Sequence, residues 1–267
     1  MKNITWIASY PKSGNTWIRT ILYSAVLGRI DLNRIGNFIP NFAALASELL
    51  GDAFKDPMEI RYKWLETQKR ISENAISQRK SCILKTHNAA GNYDVGIFPN
   101  SKFSANAIYI VRDPRDVAVS YSKHFNHSIK VAADKLNDDK LINLRREDRK
   151  RGEFTSSWKN HVIGWKNAQI PVYLVKYEDL IARPYENISL ILEFLKINPV
   201  IEISEILHLT NFKNLSELEK RTGFREASSN SKFFRTGSKA QWKRIPSKSF
   251  KAIEKNNGKI MKELGYL

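Results

Sequence analysis

The chain has 267 residues, of which 42% are hydrophobic, and 44 Lys and Arg outweigh 27 Asp and Glu to give a formal net charge of +17. This length supports one sizeable core, so we expect a single domain over residues 1–267. The single cysteine, Cys82, excludes an intrachain disulfide and a multi-cysteine metal site. No apolar stretch approaches the roughly 20 residues of a membrane helix, and a polar loop follows too soon for a signal peptide. We therefore expect a cytoplasmic protein without membrane insertion.

The excess of positive charge indicates anionic partners. It fits a nucleic acid, or an anionic cofactor combined with an acidic substrate or surface. No RNP-type motif, zinc finger or basic helical arm accompanies the charge. We expect no nucleic-acid partner, and a basic nucleic-acid-binding protein is the non-enzyme alternative.

Four short apolar runs predict strands at residues 4–8, 82–85, 107–111 and 172–175. Helical patterns separate these runs, which indicates an α/β fold with a central parallel sheet flanked by helices. Ligand sites in such sheets lie at the carboxyl ends of the strands. All four runs end in polar sequence, namely Tyr10-Pro-Lys-Ser13, Lys85-Thr-His87, Arg112-Asp-Pro-Arg115 and Lys176-Tyr-Glu-Asp179.

The first strand leads into the loop Tyr10-Pro-Lys-Ser-Gly-Asn-Thr-Trp17 and then into an apolar, helix-like segment over residues 18–27. Such a loop offers backbone N–H groups, hydroxyls and a cation to an anion at a helix N-terminus. Lys12 stands ahead of Ser13 and Gly14, whereas the usual triphosphate loop carries Gly-Lys-Ser/Thr. The order favours a metal-free phosphate cradle, and a P-loop-type small-molecule kinase is the enzyme alternative.

His87 lies shortly after the second predicted strand and, taken in isolation, is typical of an ordinary loop histidine. The third strand leads into a well-signalled helix, with Asp113 as N-cap and Pro114 as the first helical residue. Residues 130–151 are rich in charge and read as a solvated helix or loop, or as a lid over a substrate. His161 lies in a segment typical of a helix that packs under the sheet. Residues 224–243 lack periodicity and predict a long functional loop.

Four of these segments together resemble sulfotransferases that use 3′-phosphoadenosine 5′-phosphosulfate (PAPS). The loop of residues 10–17 resembles their phosphosulfate-binding motif, and residues 109–121 are similar to their 3′-phosphate-binding segment. Lys85-Thr-His87 stands where the cytosolic-type enzymes carry their catalytic histidine, and Phe233-Phe-Arg-Thr-Gly-Ser-Lys-Ala-Gln-Trp242 resembles their C-terminal Arg-Lys-Gly loop. Since the segments occur in the family order, the chain resembles a bacterial-like member with a P-loop-like sulfotransferase fold.

The resemblance implies PAPS as donor, adenosine 3′,5′-bisphosphate as product and no metal. Lys12 would contact the transferring sulfuryl group, Lys85 would assist at its oxygens, and His87 would remove the acceptor proton. The implied donor-binding residues are Ser13, Gly14, Asn15 and Thr16 at the 5′-phosphate, Trp17, Tyr177, Thr210 and Phe212 at the adenine, and Arg112, Ser120, Arg235, Thr236 and Gly237 at the 3′-phosphate.

Three positions depart from the family pattern. Asn15 stands where many members have Thr, although its amide can still donate to a phosphate oxygen. Thr236 replaces the usual Lys and removes one cation from the 3′-phosphate site. Ala240 replaces a common Gly, which puts the turn geometry at that point in question.

The acceptor is predicted to be a small molecule or a glycan, through a hydroxyl or an amine. Residues 32–64 and 126–155 lie outside the donor motifs and are predicted to line the acceptor site. The aromatic residues of the first segment would suit a lipid, a polyketide or an aromatic scaffold, or they belong to the core. The basic excess would equally suit an anionic glycan. The aromatic residues of residues 32–64 are Phe38, Phe42, Phe54, Tyr62 and Trp64.

None of these patterns determines the oligomeric state.

Overall fold

The computed structural model describes residues 2–50, 57–78, 82–93, 96–144, 152–227, 232–234, 237–245 and 248–267. Within them, the side chains of residues 47, 49, 50, 57–64, 76, 143 and 144 are not described. Phe54 and the side chains of Tyr62 and Trp64, predicted near the acceptor, therefore lie outside the described part.

The strands in chain order are β1 (Ile4–Ser9), β2 (Cys82–Thr86), β3 (Gly91–Tyr93), β4 (Gly96–Phe98), β5 (Ser104–Val111), β6 (Ile142–Leu144), β7 (Gly152–Phe154) and β8 (Val172–Lys176). The helices are α1 (Asn15–Leu27), α2 (Ile35–Phe38), α3 (Phe42–Leu50), α4 (Pro57–Ser77), α5 (Pro114–Phe125), α6 (Ile129–Leu136), α7 (Trp158–Lys166), α8 (Tyr177–Ala182), α9 (Pro184–Leu195), α10 (Ile203–Thr210), α11 (Phe212–Thr222) and α12 (Ser249–Glu263).

The main sheet has four strands in the order β2-β1-β5-β8. β1 and β2 run parallel, with Ile4 opposite Cys82 and Ala8 opposite Thr86. The four predicted strands are confirmed, as is the central parallel sheet with flanking helices. The observed strands begin up to three residues earlier or end one residue later than predicted, because polar residues at strand ends still pair along the backbone. β3 with β4, and β6 with β7, form small antiparallel pairs.

The chain divides into two compact units, one of Met1–Tyr10, Ile39–Tyr109 and Asn137–Leu174, the other of Pro11–Phe38, Ile110–Leu136 and Val175–Leu267. The single domain inferred from length stays a prediction.

The core of the first unit is rich in aromatic rings. Trp6 on β1 is fully buried, lies edge-to-face against Phe42 at 5.0 Å and Phe98 at 5.2 Å, and donates from Nε1 to Ser104 Oγ at 2.9 Å. Trp165 on α7 stacks on Tyr109 of β5 with ring centroids 5.9 Å apart. Large buried rings of this kind dominate the apolar area removed from water. They pack β1, β5 and α7 against one another.

In the second unit, α1 and α5 position the predicted donor-binding residues. α1 is buried along most of its length, and Arg19 within it pairs with Glu226 at 2.7 Å. The predicted N-cap of α5 is confirmed, because Asp113 accepts a hydrogen bond from the Arg115 N–H at 2.9 Å and Pro114 opens the helix. Among the residues described, no helix combines the length and apolar character needed to cross a bilayer.

Candidate active site

The loop after β1 turns into α1 through two residues with left-handed backbone conformation. Lys12 has φ 69° and Gly14 has φ 109°. A Cβ added at Gly14 would lie 2.7 Å from the Tyr177 ring, so the position has no space for a side chain. Gly14 is also the N-cap of α1 and supplies no side-chain hydrogen bond. The first N–H groups of a helix have no intrahelical partner, so this terminus is suited to an anion.

Ser13 and Arg112 each carry a buried polar atom that has no partner within the described ranges. These atoms are Ser13 Oγ and Arg112 Nε. An unsatisfied buried donor costs about 1–3 kcal/mol. Phosphate oxygens beside these two side chains would give both atoms a partner, so the residues present fit the donor with two phosphate groups that the sequence predicts.

Lys12 is half-buried, and its Nζ lies 4.4 Å from the centroid of the Phe233 ring. The contact is a cation–π interaction, which holds an ammonium group without neutralising its charge. The predicted cation of the loop therefore rests on an aromatic ring of the predicted C-terminal loop.

Arg112 joins three of the segments that the sequence assigns to the donor. Its Nη1 donates to the Lys12 carbonyl and its Nη2 to the Ser238 carbonyl, both at 3.2 Å. The guanidinium lies 4.3 Å over the Tyr177 ring. Ser120 lies further along α5, in the buried part of that helix. Arg112 thus contacts the loop before α1, the C-terminal loop and the start of α8.

The residues predicted to surround the adenine form one aromatic cluster. Trp17 is nearly buried, and its Nε1 donates to the Thr210 carbonyl at 2.9 Å. Its ring lies 5.1 Å from Phe212 and 5.9 Å from Tyr177, centroid to centroid. Rings at these distances are in contact with each other. An adenine ring would therefore lie against the outside of the cluster and not between Trp17 and Phe212.

The C-terminal loop is held by two carboxylates through its backbone. Asp116 of α5 accepts hydrogen bonds from the N–H groups of Ala240 at 2.7 Å and Trp242 at 3.0 Å. Glu219 of α11 accepts from the N–H groups of Phe233 at 2.7 Å and Phe234 at 2.9 Å. Burial raises the pKa of Asp116 against the opposing effect of these bonds.

Within this loop, Gly237 has φ 52°, and an added Cβ would lie 2.2 Å from the Phe212 ring. Ala240, the departure from the family's Gly, nevertheless adopts the left-handed conformation with φ 58°. Arg235 and Thr236, predicted at the 3′-phosphate, lie outside the described residues.

Thr16 and Arg19 share one carboxylate, which the sequence analysis did not identify. The Thr16 hydroxyl donates to Glu226 at 3.3 Å, and Arg19 donates to both Glu226 oxygens at 3.0 Å and 2.7 Å. No local pattern could have indicated this pair, because more than 200 positions separate the partners.

In the first unit, His87 follows β2 and has three of its polar groups hydrogen-bonded. Its Nδ1 lies 2.7 Å from the Ser9 carbonyl oxygen and 3.2 Å from Ser9 Oγ. Its backbone N–H donates to Glu153 at 2.9 Å, and its carbonyl lies 3.2 Å from His161 Nε2. A carbonyl can only accept, so Nδ1 carries the proton and the lone pair of the neutral ring lies on Nε2.

Lys85 precedes His87 on β2 and is half-buried. Its backbone N–H donates to the Pro40 carbonyl at 2.8 Å, and it forms a parallel bridge with Asn41. The backbone at Lys85 is therefore fixed on both sides, by β1 and by the residues before α3.

Known proteins similar to this chain point to one family. The sequence profile of the sulfotransferase domain matches residues 2–265. Sulfotransferase 1A1 of Rattus norvegicus is 30% identical over 217 residues, covering 79% of this chain and 66% of the rat protein, a little under two thirds of its length. Flavonol 3-sulfotransferase of Flaveria bidentis is 26% identical over 283 residues, covering 98% of this chain and 82% of the plant protein.

A crystal structure of a mouse sulfotransferase complexed with PAP has the same fold, with a TM-score of 0.63 at 20% identity over 98% of this chain and 85% of the mouse chain. The chain belongs to the sulfotransferase family and is an enzyme of that family.

Proposed function

We propose that this enzyme transfers a sulfuryl group from PAPS to a hydroxyl of a small-molecule acceptor, with an amine as the other possible nucleophile. The observation that carries the proposal is the loop before α1, where the buried Ser13 hydroxyl without a described partner lies beside a helix N-terminus that has no side-chain cap. Both features favour a phosphate-like anion at this loop, which supports the proposal.

The donor would be held by residues of the second unit. The loop of residues 13–16 would bind the 5′-phosphate, and Arg112 with Ser120 would bind the 3′-phosphate. Arg112 already donates to two backbone carbonyls, so its guanidinium is fixed before any ligand binds. Arg235 and Thr236 belong to this proposal on sequence alone. The outer face of the Trp17 cluster would receive the adenine.

When bound, PAPS supplies the sulfuryl group, with the bisphosphate as leaving group. Lys12 would place its ammonium where negative charge develops on the bridging oxygen, and Lys85 would stabilise the sulfuryl oxygens. Such transfers pass through a loose, charge-separated transition state by analogy with phosphoryl transfer, so positioning and cations matter more than covalent catalysis.

His87 would be the general base. Since its Nδ1 proton is donated to the Ser9 carbonyl at 2.7 Å, the neutral ring offers the lone pair of Nε2 to an acceptor proton. The imidazolium formed in that step would remain hydrogen-bonded through Nδ1, which stabilises it.

The proposed acceptor is a small molecule because one of the similar proteins is a flavonol sulfotransferase. Next to the His87 loop, the half-buried Tyr93 packs its ring edge-on against the buried Phe154, with centroids 5.8 Å apart, and Tyr93 Oη donates to the Ala89 carbonyl at 2.7 Å, so Tyr93 offers an aromatic ring to an acceptor. A glycan is the second candidate, favoured by the net charge of +17.

Calorimetric titration and a transfer assay test the proposal. We expect adenosine 3′,5′-bisphosphate to bind without metal and ATP–Mg²⁺ to bind much more weakly. Labelled PAPS should then pass its sulfuryl group to members of a panel of phenols, flavonols, aliphatic alcohols, amines and glycans, read by mass spectrometry. Tight binding of ATP alone would contradict the proposal and favour a kinase, whereas binding of arbitrary DNA that survives physiological salt would favour a nucleic-acid-binding protein.

A further inference from the structure

His161 on α7 is fully buried and lies between two specific partners. Its Nδ1 is 2.9 Å from the Tyr109 hydroxyl, and its Nε2 is 3.2 Å from the carbonyl oxygen of His87. The Tyr109 and His161 rings are stacked, with centroids 5.6 Å apart. A hydrogen-bonded chain therefore runs from the middle of the sheet to the backbone of the proposed base.

The directions of these hydrogen bonds follow from the chemistry of the carbonyl. Because the His87 carbonyl can only accept, Nε2 of His161 carries the proton, and Nδ1 accepts from the Tyr109 hydroxyl. Burial lowers the pKa of His161 to about 3 and raises that of Tyr109, so both groups are neutral at physiological pH. The donor that faces His87 is thus present at every pH at which the enzyme would work.

We propose that His161 is a positioning residue for His87: through its bond to the His87 carbonyl, ordered by Tyr109, it holds the backbone at which the base is attached. The inference rests on the proposed function in one respect, namely that His87 is the base. Together with the Nδ1 bond to Ser9 and the backbone bond to Glu153, this contact holds His87 from three directions.

Packing alone accounts poorly for a histidine at this position. A buried imidazole loses its hydration, and an apolar ring would fill the space without that cost. Both ring nitrogens of His161 instead meet a partner of the right polarity. The ionisable groups near its ring are Tyr109, His87 and Glu153, and the Tyr10 ring lies edge-on at 5.5 Å.

Trp165, which lies about one helical turn beyond His161, provides a matched control. Trp165, also on α7 and also fully buried, donates from Nε1 to the carbonyl of Asn88 at 2.9 Å. This is the same kind of bond, made one residue beyond His87. Trp165→Phe removes the bond and retains a ring, so it measures what the loss of a buried hydrogen bond in this loop does in general.

The first experiment compares His161→Leu, His161→Gln and Trp165→Phe in the full chain. Because small displacements of a catalytic group can cost about 100-fold in rate, we expect His161→Leu to lower kcat by about that factor with unchanged affinity for adenosine 3′,5′-bisphosphate. His161→Gln, whose amide can still donate to the His87 carbonyl, should recover most of the loss. Trp165→Phe should lower kcat far less. Equal losses in His161→Leu and Trp165→Phe, or full activity in a folded His161→Leu variant, would overturn the proposal.

A second measurement does not depend on activity and remains informative if His161→Leu fails to fold or if no transfer is detected. Nitrogen-15 NMR of the histidine rings reports which nitrogen carries the proton. In the wild type we expect His161 protonated on Nε2 and unchanged from pH 5 to pH 9, and neutral His87 protonated on Nδ1. In Tyr109→Phe, which removes the group that orders His161, the His87 ring should change its tautomer ratio or pH midpoint, whereas in His161→Gln, which keeps a donor to the His87 carbonyl, and in Trp165→Phe it should not. A His161 ring that titrates in this range, or a His87 ring that is unchanged in Tyr109→Phe, would refute the positioning role even in an enzyme whose donor binding is established.

Discussion

The loop before α1 and the loop after β2 both follow strands of the main sheet, yet they use their polar groups in opposite ways. The first contains left-handed residues at Lys12 and Gly14, a helix terminus without a side-chain cap and a buried Ser13 hydroxyl that meets no described partner. In the second, the N–H, the carbonyl and Nδ1 of His87 all meet protein groups.

The difference reflects what each loop would hold. A loop that binds a ligand must keep hydrogen-bond donors available for it. The folding free energy lost in this way is regained when the ligand binds. A loop that carries a base must fix one side chain in one protonation pattern, so its groups are satisfied within the protein. The comparison separates a region that would bind the sulfuryl donor from one that would activate the acceptor.

The largest expected effect comes from removing the base. His87→Ala should lower kcat by about 10²–10⁴-fold, since that is the usual contribution of a general base. Affinity for adenosine 3′,5′-bisphosphate should stay within error in calorimetry, because no donor-binding role is assigned to this loop. A variant that keeps full turnover would show that His87 is not the base, and one that loses donor affinity would break the division between the two loops.

Lys12→Met tests the loop before α1 and should lower kcat by roughly 10²–10³-fold, the range for loss of one group that stabilises developing charge. Methionine keeps the unbranched chain against Phe233 and removes the ammonium. Lys12→Arg serves as the control that keeps the charge. Single-turnover transfer from labelled PAPS gives the rate, and equal rates for the Met and Arg variants would contradict a role for the cation.

Gly237→Ala tests whether the C-terminal loop depends on its contact with Phe212. The added Cβ meets both an unfavourable φ of 52° and a ring atom at 2.2 Å. Gly28→Ala is a matched control, because Gly28 also has a left-handed backbone with φ 64°, and the added Cβ would lie at an ordinary 3.4 Å from the side chains of Val200 and Ile201. Overpacking typically costs about 1–3 kcal/mol, so we expect Gly237→Ala to lose that much more unfolding free energy than Gly28→Ala. Denaturant titration measures both, and equal losses would mean that the loop moves away from Phe212 without cost.

The smallest effect is a pH dependence of stability due to His161. Its pKa is about 3 in the folded protein against an ordinary value of 6.5, so below pH 6.5 the unfolded chain takes up a proton that the folded chain does not. The contribution is fully present above pH 6.5 and is lost as pH falls towards 3, by at most about 1.4 kcal/mol per pH unit. Denaturant titrations at pH 7.5, 6 and 5 should show a shallower decline for His161→Gln than for the wild type. Parallel curves would mean that His161 does not stay neutral on acidification.

The strands and the donor loop could be predicted from sequence because their signals are local. A short apolar run fixes a buried parallel strand, and Asp113 with Pro114 marks the start of α5 in adjacent positions. The functional partners that the sequence did not reveal are remote: Asp116 binds Ala240 across 124 positions, and His161 binds His87 across 74. His161 was interpreted as a packing residue, since a buried histidine with two partners has the same local pattern as one without.

The carboxylates Asp116 and Glu219 hold the C-terminal loop by its backbone N–H groups and not by its side chains. A backbone anchor is indifferent to which residue occupies the anchored position, provided that it is not proline. The loop can therefore change its side chains over evolution while its attachment points stay fixed. A library randomised at Ser238 and Lys239, which lie between the anchored residues Phe234 and Ala240, would vary the side chains of the loop while its attachment points stay the same.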